Sequence, residues 1–172
     1  MNAIQSWGNL CAGQVMIALP FALMNGVMMH SKWLMLALFI LIWVNDSGAY
    51  IVGSLMAKRK GGNHKMFPRV SPAKSWEGLI GGFIFDLLAG YVFFLVGWTA
   101  DMGLVNSLLF AFVVGVFGTL GDLMESLFKR TLGVKDSGKL MPGHGGALDR
   151  FDSLLLAVPV VYFLFVYLPT LL

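Results

Sequence analysis

Five long apolar stretches dominate the pattern of hydrophobic and polar positions, and each is close to the ~20 residues that an α-helix needs to cross a bilayer. They lie at about Leu10–Met29, Trp33–Ala57, Leu79–Trp98, Leu104–Phe128 and Phe151–Leu172. With 58% hydrophobic and 12% charged residues, the chain is too apolar for a soluble globular protein. We therefore predict an all-α, polytopic integral membrane protein with about five transmembrane helices in a single membrane domain over residues 1–172.

Basic residues are concentrated in two loops, which predicts the orientation of the helices. Eleven of the twelve Lys and Arg residues lie between the second and third apolar stretches or between the fourth and fifth, and only Lys32 lies on the other side. Because positively charged loops remain in the cytoplasm, we predict two polar cytoplasmic loops. Cys11 is the only cysteine, which excludes a disulfide framework and a cysteine-based metal site. No nucleic-acid-binding motif occurs, so no nucleic-acid partner is expected.

Residues 118–153 interrupt the apolar pattern with five of the nine acidic and five of the twelve basic residues. A bilayer tolerates such a cluster only where it lines water or is buried in protein. Asp122, Glu125 and Lys129 are spaced to share one face of a helix, and Asp122 lies roughly 10 Å before Lys129 along it. The segment is therefore the predicted active centre, although simple pairing of its acids with loop bases is an alternative.

Two further acids lie inside apolar stretches. Asp46 is part of the polar run Asn45-Asp46-Ser47-Gly48, roughly 16 Å before Ala57 on the helical rise, and is predicted in the cytoplasmic half. Asp86 has no polar neighbours in sequence. It either faces a shared polar interior or pairs with a loop base.

The first basic loop ends in residues 69–78, RVSPAKSWEG. Ser71-Pro72 predicts a turn, and Ser75 or Ser71 can cap the third helix. Basic residues, hydroxyls and a helix N-terminus suit phosphate oxygens. The same loop also suits an electrostatic anchor on anionic lipid, and the sequence alone does not decide between the two.

The residue types of the polar segments narrow the chemistry. Carboxylates without cysteine favour hard cations such as Mg²⁺, and Lys and Arg beside them suit phosphate groups. Together they are typical of metal-assisted phosphoryl or nucleotidyl transfer. His144, the one histidine in the cluster, serves either phosphate binding and proton transfer or a turn contact.

Four motifs follow one another along the chain in an unusual order. They are Asp46-Ser47-Gly48-Ala49-Tyr50, Ser71-Pro72-Ala73-Lys74-Ser75-Trp76-Glu77-Gly78, Gly121-Asp122-Leu123-Met124-Glu125-Ser126, and the segment from Ser126 to Asp152 with Lys135-Asp136-Ser137-Gly138, Pro142-Gly143-His144-Gly145-Gly146 and Leu148-Asp149-Arg150-Phe151-Asp152. This set strongly resembles the signature of the bacterial phosphatidate cytidylyltransferase (CDP-diglyceride synthase) family.

The resemblance implies an enzyme of phospholipid biosynthesis that joins CTP and phosphatidic acid to give CDP-diacylglycerol and pyrophosphate. Mg²⁺, alone or with a second cation, is the implied cofactor. The implied catalytic residues are Asp122, Lys129, His144 and Asp149. The implied metal ligands are Asp46, Asp122, Glu125, Asp149 and Asp152. The implied substrate-binding residues are Ser71, Lys74, Ser75, Arg130, Lys135, Gly145, Gly146 and Arg150.

The resemblance also implies a multipass protein of a bacterial inner membrane with its active site facing the cytoplasm, and it is compatible with a homodimer. Family members are usually longer, so an N-terminally short form that carries the catalytic part is expected. One alternative is a CTP-dependent transferase or kinase acting on a polyisoprenoid lipid. A cation-coupled transporter using Asp46, Asp122 and Glu125 is a third, but it predicts polar residues approaching the midplane from both sides, and here they crowd one side.

Overall fold

The computed structural model describes residues 2–59, 62–134, 137–138, 146 and 148–170. In chain order its elements are α1 (Ala3–His30), α2 (Lys32–Ala57), β1 (Lys65–Phe67), β2 (Ser71–Ser75), α3 (Trp76–Leu95), a 3₁₀ turn (Ala100–Met102), α4 (Gly103–Thr131), a 3₁₀ turn (Leu148–Arg150) and α5 (Asp152–Val161), which a π-helical segment (Tyr162–Tyr167) and a last 3₁₀ turn (Leu168–Thr170) continue.

Four helices are long and apolar enough to cross a membrane, namely Ser6–His30, Lys32–Ala57, Trp76–Leu95 and Ala100–Thr131. The fifth predicted span forms a shorter apolar helix, Asp152–Tyr167. The chain is thus an all-α, polytopic membrane protein, as the sequence predicts. Its last helical segment is shorter than the ~20 residues expected of a full span.

The helices bury an apolar core at their centre. α2 packs mainly on α3, α4 packs on both α3 and α5, and α1 packs on α5 and α2. The most deeply buried large apolar side chains come from α1, α2, α4 and α5: Val27, Leu34, Leu38, Leu41, Phe110, Val114, Val158 and Val161. Small residues allow the close approach that helices need in lipid. A Cβ at Gly81 of α3, for example, would lie 2.5 Å from Val52 of α2.

A short antiparallel hairpin, β1 and β2, lies between α2 and α3, and the sequence pattern does not predict it. At its base, the Glu77 carboxylate accepts a hydrogen bond from the His64 backbone N–H at 3.0 Å and lies 2.6 Å from His64 Nδ1. At its tip, Arg130 Nε donates to the Val70 carbonyl at 3.3 Å. The hairpin is therefore held by α3 at one end and by α4 at the other.

Aromatic residues collect at the opposite end of the bundle. Trp98 stacks on Trp33 and on Phe93, with ring centroids 5.3 Å and 5.2 Å apart, and Lys32 lies over the Trp33 ring. Tryptophan and lysine are typical of a membrane–water interface. We therefore assign this end of the bundle to one membrane–water interface and the hairpin end to the other.

Candidate active site

The acidic residues proposed from the sequence as metal ligands come from three helices and one turn, and they lie at the end of the bundle that carries the hairpin. Asp46 belongs to α2, Asp122 and Glu125 to α4, Asp149 to the 3₁₀ turn and Asp152 to the start of α5. Asp152 interacts electrostatically with Asp122, Glu125 and Asp46, and Asp46 interacts with Asp122. The fold therefore gathers into one cluster acids that are up to about a hundred positions apart in the chain.

Lys129 joins two of these acids. It forms an ion pair with Glu125, one helical turn earlier on α4, and its Nζ lies 2.6 Å from Asp149 Oδ1. The i, i+4 spacing puts Glu125 and Lys129 on one face of α4, as the sequence predicts. The Glu125 side chain is only 4% exposed, so the lysine supplies the positive charge that a buried carboxylate needs.

Asp149 organises the loop that precedes it. Its Oδ2 accepts hydrogen bonds from the Gly146 backbone N–H at 2.7 Å, from the Ser137 backbone N–H at 3.0 Å and from the Ser137 hydroxyl at 2.8 Å. Partial burial raises the pKa of this carboxyl. Lys129 and these hydrogen-bond donors lower the pKa by more than burial raises it, so the pKa of Asp149 falls below its usual range. Asp149 is therefore ionised throughout the physiological pH range.

Lys74 brings the hairpin to the acidic cluster. Its Nζ lies 2.6 Å from Asp122 Oδ2 and donates to the Thr119 carbonyl at 3.4 Å. The other Asp122 oxygen accepts from the Ser126 hydroxyl at 3.3 Å. Lys74 and Lys129, the lysines that the described part of the chain brings to the cluster, are thus paired with acids, so the simple pairing considered from the sequence describes part of the arrangement.

The start of α5 approaches α4 closely because position 121 is a glycine. A Cβ on Gly121 would lie 2.5 Å from the Asp152 carbonyl and 3.1 Å from Ser153 Cα. The Asp152 carboxylate accepts from the Ser153 backbone N–H at 2.6 Å. The step-of-three glycines in this part of the sequence, Gly115, Gly118 and Gly121, predict such contact, and the fold uses Gly121 to bring Asp152 beside Asp122.

A cavity of about 370 Å³ opens between α2, the hairpin and the first turn of α3. Its polar lining includes Asn45, Asp46, Asn63, Lys65, Lys74 and Ser75, and its apolar lining includes Tyr50, Met66 and Leu79. A mixture of carboxylate, base and apolar surface suits a ligand that is charged at one end and apolar at the other.

The remaining residues proposed from the sequence fall in different places. Ser75 is buried, lines the cavity and caps α3 by accepting from the Gly78 N–H at 3.2 Å, so it is Ser75 and not Ser71 that provides the cap. Ser71 begins β2 opposite Phe67. Arg150 is exposed at the end of its 3₁₀ turn. Arg130 reaches the hairpin tip and not the cluster. Lys135, His144 and Gly145 lie outside the described residues.

Three polar side chains in the cavity wall or directly behind it were not proposed from the sequence as site residues: Asn45, Thr119 and Asp86. Asn45 Nδ2 donates to Asp86 Oδ2 at 2.5 Å, and the Thr119 hydroxyl donates to Asn45 Oδ1 at 3.4 Å. This contact answers the question left open about Asp86, which faces a shared polar interior. The polar run around Asp46 draws attention to Asn45, but no sequence pattern predicts how these helices rotate to meet.

The carboxylate oxygens of the cluster are ligands of the type that Mg²⁺ prefers, but the side chains do not surround a common point. Within the described ranges, no three His, Cys, Asp or Glu side chains come together as they do around a metal ion. Mg²⁺, however, is commonly held by only one or two carboxylates together with substrate phosphates and water. Asp46 and Asp152, which interact with Asp122, supply oxygens of that kind.

Known proteins resemble this chain along most of its length. Residues 3–168 match the cytidylyltransferase family. A phosphatidate cytidylyltransferase of Haemophilus influenzae is 47% identical over 143 residues, which are 79% of this chain and 47% of that protein. Proteins of the same name from Staphylococcus haemolyticus and Bacillus subtilis are both 46% identical, over 74% and 73% of this chain and 47% and 44% of theirs.

The chain thus spans about half the length of the curated relatives that it matches. The family match covers nearly all of its own residues, and it includes every acid and base of the cluster. The chain belongs to the cytidylyltransferase family.

Proposed function

We propose that this chain carries the nucleotidyltransferase chemistry of a phosphatidate cytidylyltransferase, which makes CDP-diacylglycerol and pyrophosphate from CTP and phosphatidic acid. The observation that carries the proposal is the cluster of five acids with Lys74 and Lys129 beside an amphipathic cavity, in a chain of the cytidylyltransferase family. The names of the relatives support the choice of substrates. Because the chain spans about half of each relative, its activity when isolated is part of the proposal.

The reaction is a displacement at phosphorus. A phosphate oxygen of phosphatidic acid attacks the α-phosphorus of CTP, a new P–O bond forms, and the bond from that phosphorus to the α,β-bridging oxygen breaks. Pyrophosphate leaves with the bonding electrons. Negative charge on both reactants must be neutralised for them to meet, so cationic side chains and metal contribute most of the catalysis in this class of reaction.

Lys74 and Lys129 are the residues proposed to neutralise phosphate charge. In this structure, Lys74 pairs with Asp122 and Lys129 pairs with Asp149, each at 2.6 Å. A phosphate group competes for the same N–H donors, because charge-assisted hydrogen bonds to phosphate and to carboxylate are similar in strength. In this proposal the acids hold the lysines in place until substrate arrives.

Asp46, Asp122 and Asp152, with Glu125 and Asp149 beside them, are proposed to hold Mg²⁺, alone or with a second cation. When bound, the ion supplies charge stabilisation at the phosphate oxygens. Asp149 has a different contribution of its own, since it fixes Ser137 and Gly146 at the edge of the cluster. Lys135, His144 and Gly145 remain proposed site residues on the resemblance alone.

The proposed location is a bacterial inner membrane, with the cluster on the cytoplasmic side. The positive-inside rule supports this orientation, since the hairpin and the end of α4 carry the basic residues. CTP is then available from the cytoplasm, and phosphatidic acid reaches the cavity from the bilayer. A homodimer remains a further proposal.

The decisive experiment is synthesis of a CDP-lipid by the purified 172-residue chain in lipid nanodiscs with CTP, Mg²⁺ and phosphatidic acid. We expect CDP-diacylglycerol and pyrophosphate in equal amounts, and a loss of about 100-fold or more in Asp149→Ala. Asp101→Ala is the matched control, because Asp101 is an exposed acid at the opposite end of α4 and its loss should change little. Equal activity in wild type and Asp149→Ala would overturn the site.

The polyisoprenoid alternative is tested in the same assay. Polyisoprenyl phosphate and polyisoprenol are offered in place of phosphatidic acid, and the products are CDP-polyisoprenoid or a phosphorylated lipid with CDP. If only these substrates give product, phosphatidic acid is not the substrate of this chain.

A further inference from the structure

Asp86 is a fully buried carboxylate at the centre of the helical bundle, and it belongs to none of the motifs that define the site. Its side chain is 0% exposed. Oδ2 accepts the hydrogen bond from Asn45 Nδ2 at 2.5 Å, whereas Oδ1 has no hydrogen-bond partner within the described part of the chain. A carboxyl group in this position costs free energy that an apolar residue would not. Acids inside membrane helices usually serve function for that reason.

Asp86, Asn45 and Thr119 come from three helices and lie at similar depth. On the helical rise, Asp86 is about 15 Å from the start of α3, and Asn45 and Thr119 are each about 18 Å from the ends of α2 and α4 that face the hairpin. Asn45 and Thr119 line the cavity, whereas Asp86 does not. Asp86 thus lies directly behind the cavity wall.

Two chains of contact lead from Asp86 to the reacting groups. Asn45 immediately precedes Asp46 in α2, so the rotation of α2 that places one side chain also places the other. Asn45 also accepts from the Thr119 hydroxyl, and the Thr119 carbonyl accepts from Lys74 Nζ. Asp86 therefore contacts a side chain, Asn45, that adjoins Asp46 in α2 and is hydrogen-bonded to the residue whose carbonyl accepts from Lys74.

The neighbouring helices leave room for this pair because they carry glycines there. A Cβ on Gly115 of α4 would collide with Asp86 Oδ2 and lie 3.1 Å from Asn45 Nδ2. A Cβ on Gly82 of α3 would lie 3.0 Å from the same Asn45 nitrogen. The polar pair is enclosed on both sides, so its geometry is fixed by packing as well as by its hydrogen bond.

We propose that Asp86 is a positioning residue for the transfer reaction, which holds Asn45 and through it the cavity wall that presents Asp46 and Lys74. The inference rests on the proposed function for its kinetic readout. It adds a residue that lies outside the motifs, contacts no substrate and acts through Asn45.

The kinetic test compares Asp86→Leu with Asp86→Asn. Leucine has the same branched shape as aspartate, with larger methyl groups, and it removes the acceptor, so we expect kcat to fall by about 10- to 100-fold, as misplacement of reacting groups does, with smaller changes in KM for CTP. Asparagine keeps an oxygen for Asn45 Nδ2, and most of kcat should return. Adding Asn45→Val to Asp86→Leu should cause little further loss, because residues that act through one another are not additive.

A second comparison serves if Asp86→Leu folds poorly. Gly115→Ala pushes on Asp86 from α4, so it should lower kcat as Asp86→Leu does. Gly118→Ala, one turn later, is its matched control, since a Cβ there meets Ile42 and Ser153 only at 3.8 Å. Equal kcat in both glycine variants, or full kcat in Asp86→Leu, would overturn the proposal.

An activity-independent readout separates this inference from the proposed function. Ala49 lines the cavity one turn after Asn45, so an Ala49→Cys probe in a Cys11→Ser background reports the shape of that wall through its rate of alkylation. We expect the rate to change with Asp86→Leu and to return with Asp86→Asn. If wild type makes no CDP-lipid, the proposed function fails, and an unchanged alkylation rate would reject Asp86 as well.

Discussion

Lys129 is the residue on which the charge balance of the cluster depends, since it binds Glu125 and Asp149 together. Removing it leaves two neighbouring carboxylates without that positive charge, one of them almost fully buried. We expect Lys129→Met to destabilise the protein by about 3 kcal/mol or more, as loss of one partner of a buried ion pair does. CDP-lipid synthesis should fall with it. Thermal unfolding in detergent and turnover in nanodiscs measure the two effects.

The double variant Lys129→Met/Glu125→Gln separates folding from chemistry. Removing the Glu125 charge should recover much of the unfolding temperature, because the remaining acid then has no like-charged neighbour at that position. Activity should stay low, since the proposed phosphate ligand is still absent. If the single variant is as stable as wild type, Lys129 does not balance these acids.

Ser75 both caps a helix and lines the cavity, and a comparison with Ser31, which caps another helix at its end away from the cavity, can separate these two roles. Ser75 caps α3 at one end of the bundle and lines the cavity, whereas Ser31 caps α2 at the other end by accepting from the Leu34 N–H at 3.3 Å. Ser75→Ala and Ser31→Ala should each cost about 1 kcal/mol of stability. Only Ser75→Ala should raise KM for CTP or phosphatidic acid. An equal effect of both on KM would make Ser75 a cap alone.

The helices could be predicted from the sequence because long apolar runs determine them, and the observed bounds of α2 and α4 lie within a few residues of the predicted ones. The hairpin could not be predicted, because its strands have only three and five residues and show no alternating pattern. Pro68 lies between the two strands and Pro72 lies within the second, and proline is unfavourable in a strand. Motif spacing placed Glu125 and Lys129 on one face. The bond from Asp86 to Asn45 depends on how α2 and α3 rotate against each other, which hydrophobic periodicity in an all-apolar helix does not specify.

The acidic cluster and the stacked aromatic group of Trp33, Phe93 and Trp98 lie at opposite ends of the molecule. The five acids of the cluster, Lys74, Lys129 and the hairpin lie towards one end, and Trp33 and Trp98 lie at the other. This asymmetry disfavours the transporter alternative, which needs access from both sides to a central ion site. It also makes the proposed orientation a property that can be measured without any enzyme assay.

Two cysteines at the ends of α4 test that orientation. In a Cys11→Ser background, Val134→Cys follows the end of α4 near the cluster, and Asp101→Cys precedes its start; both positions are exposed. A thiol reagent that cannot cross the inner membrane should label Asp101→Cys in intact bacterial cells, and should label Val134→Cys only after the membrane is opened, because the basic end stays inside. Labelling of Val134→Cys in intact cells with protection of Asp101→Cys would reverse the orientation. CTP from the cytoplasm would then have no direct access to the cluster.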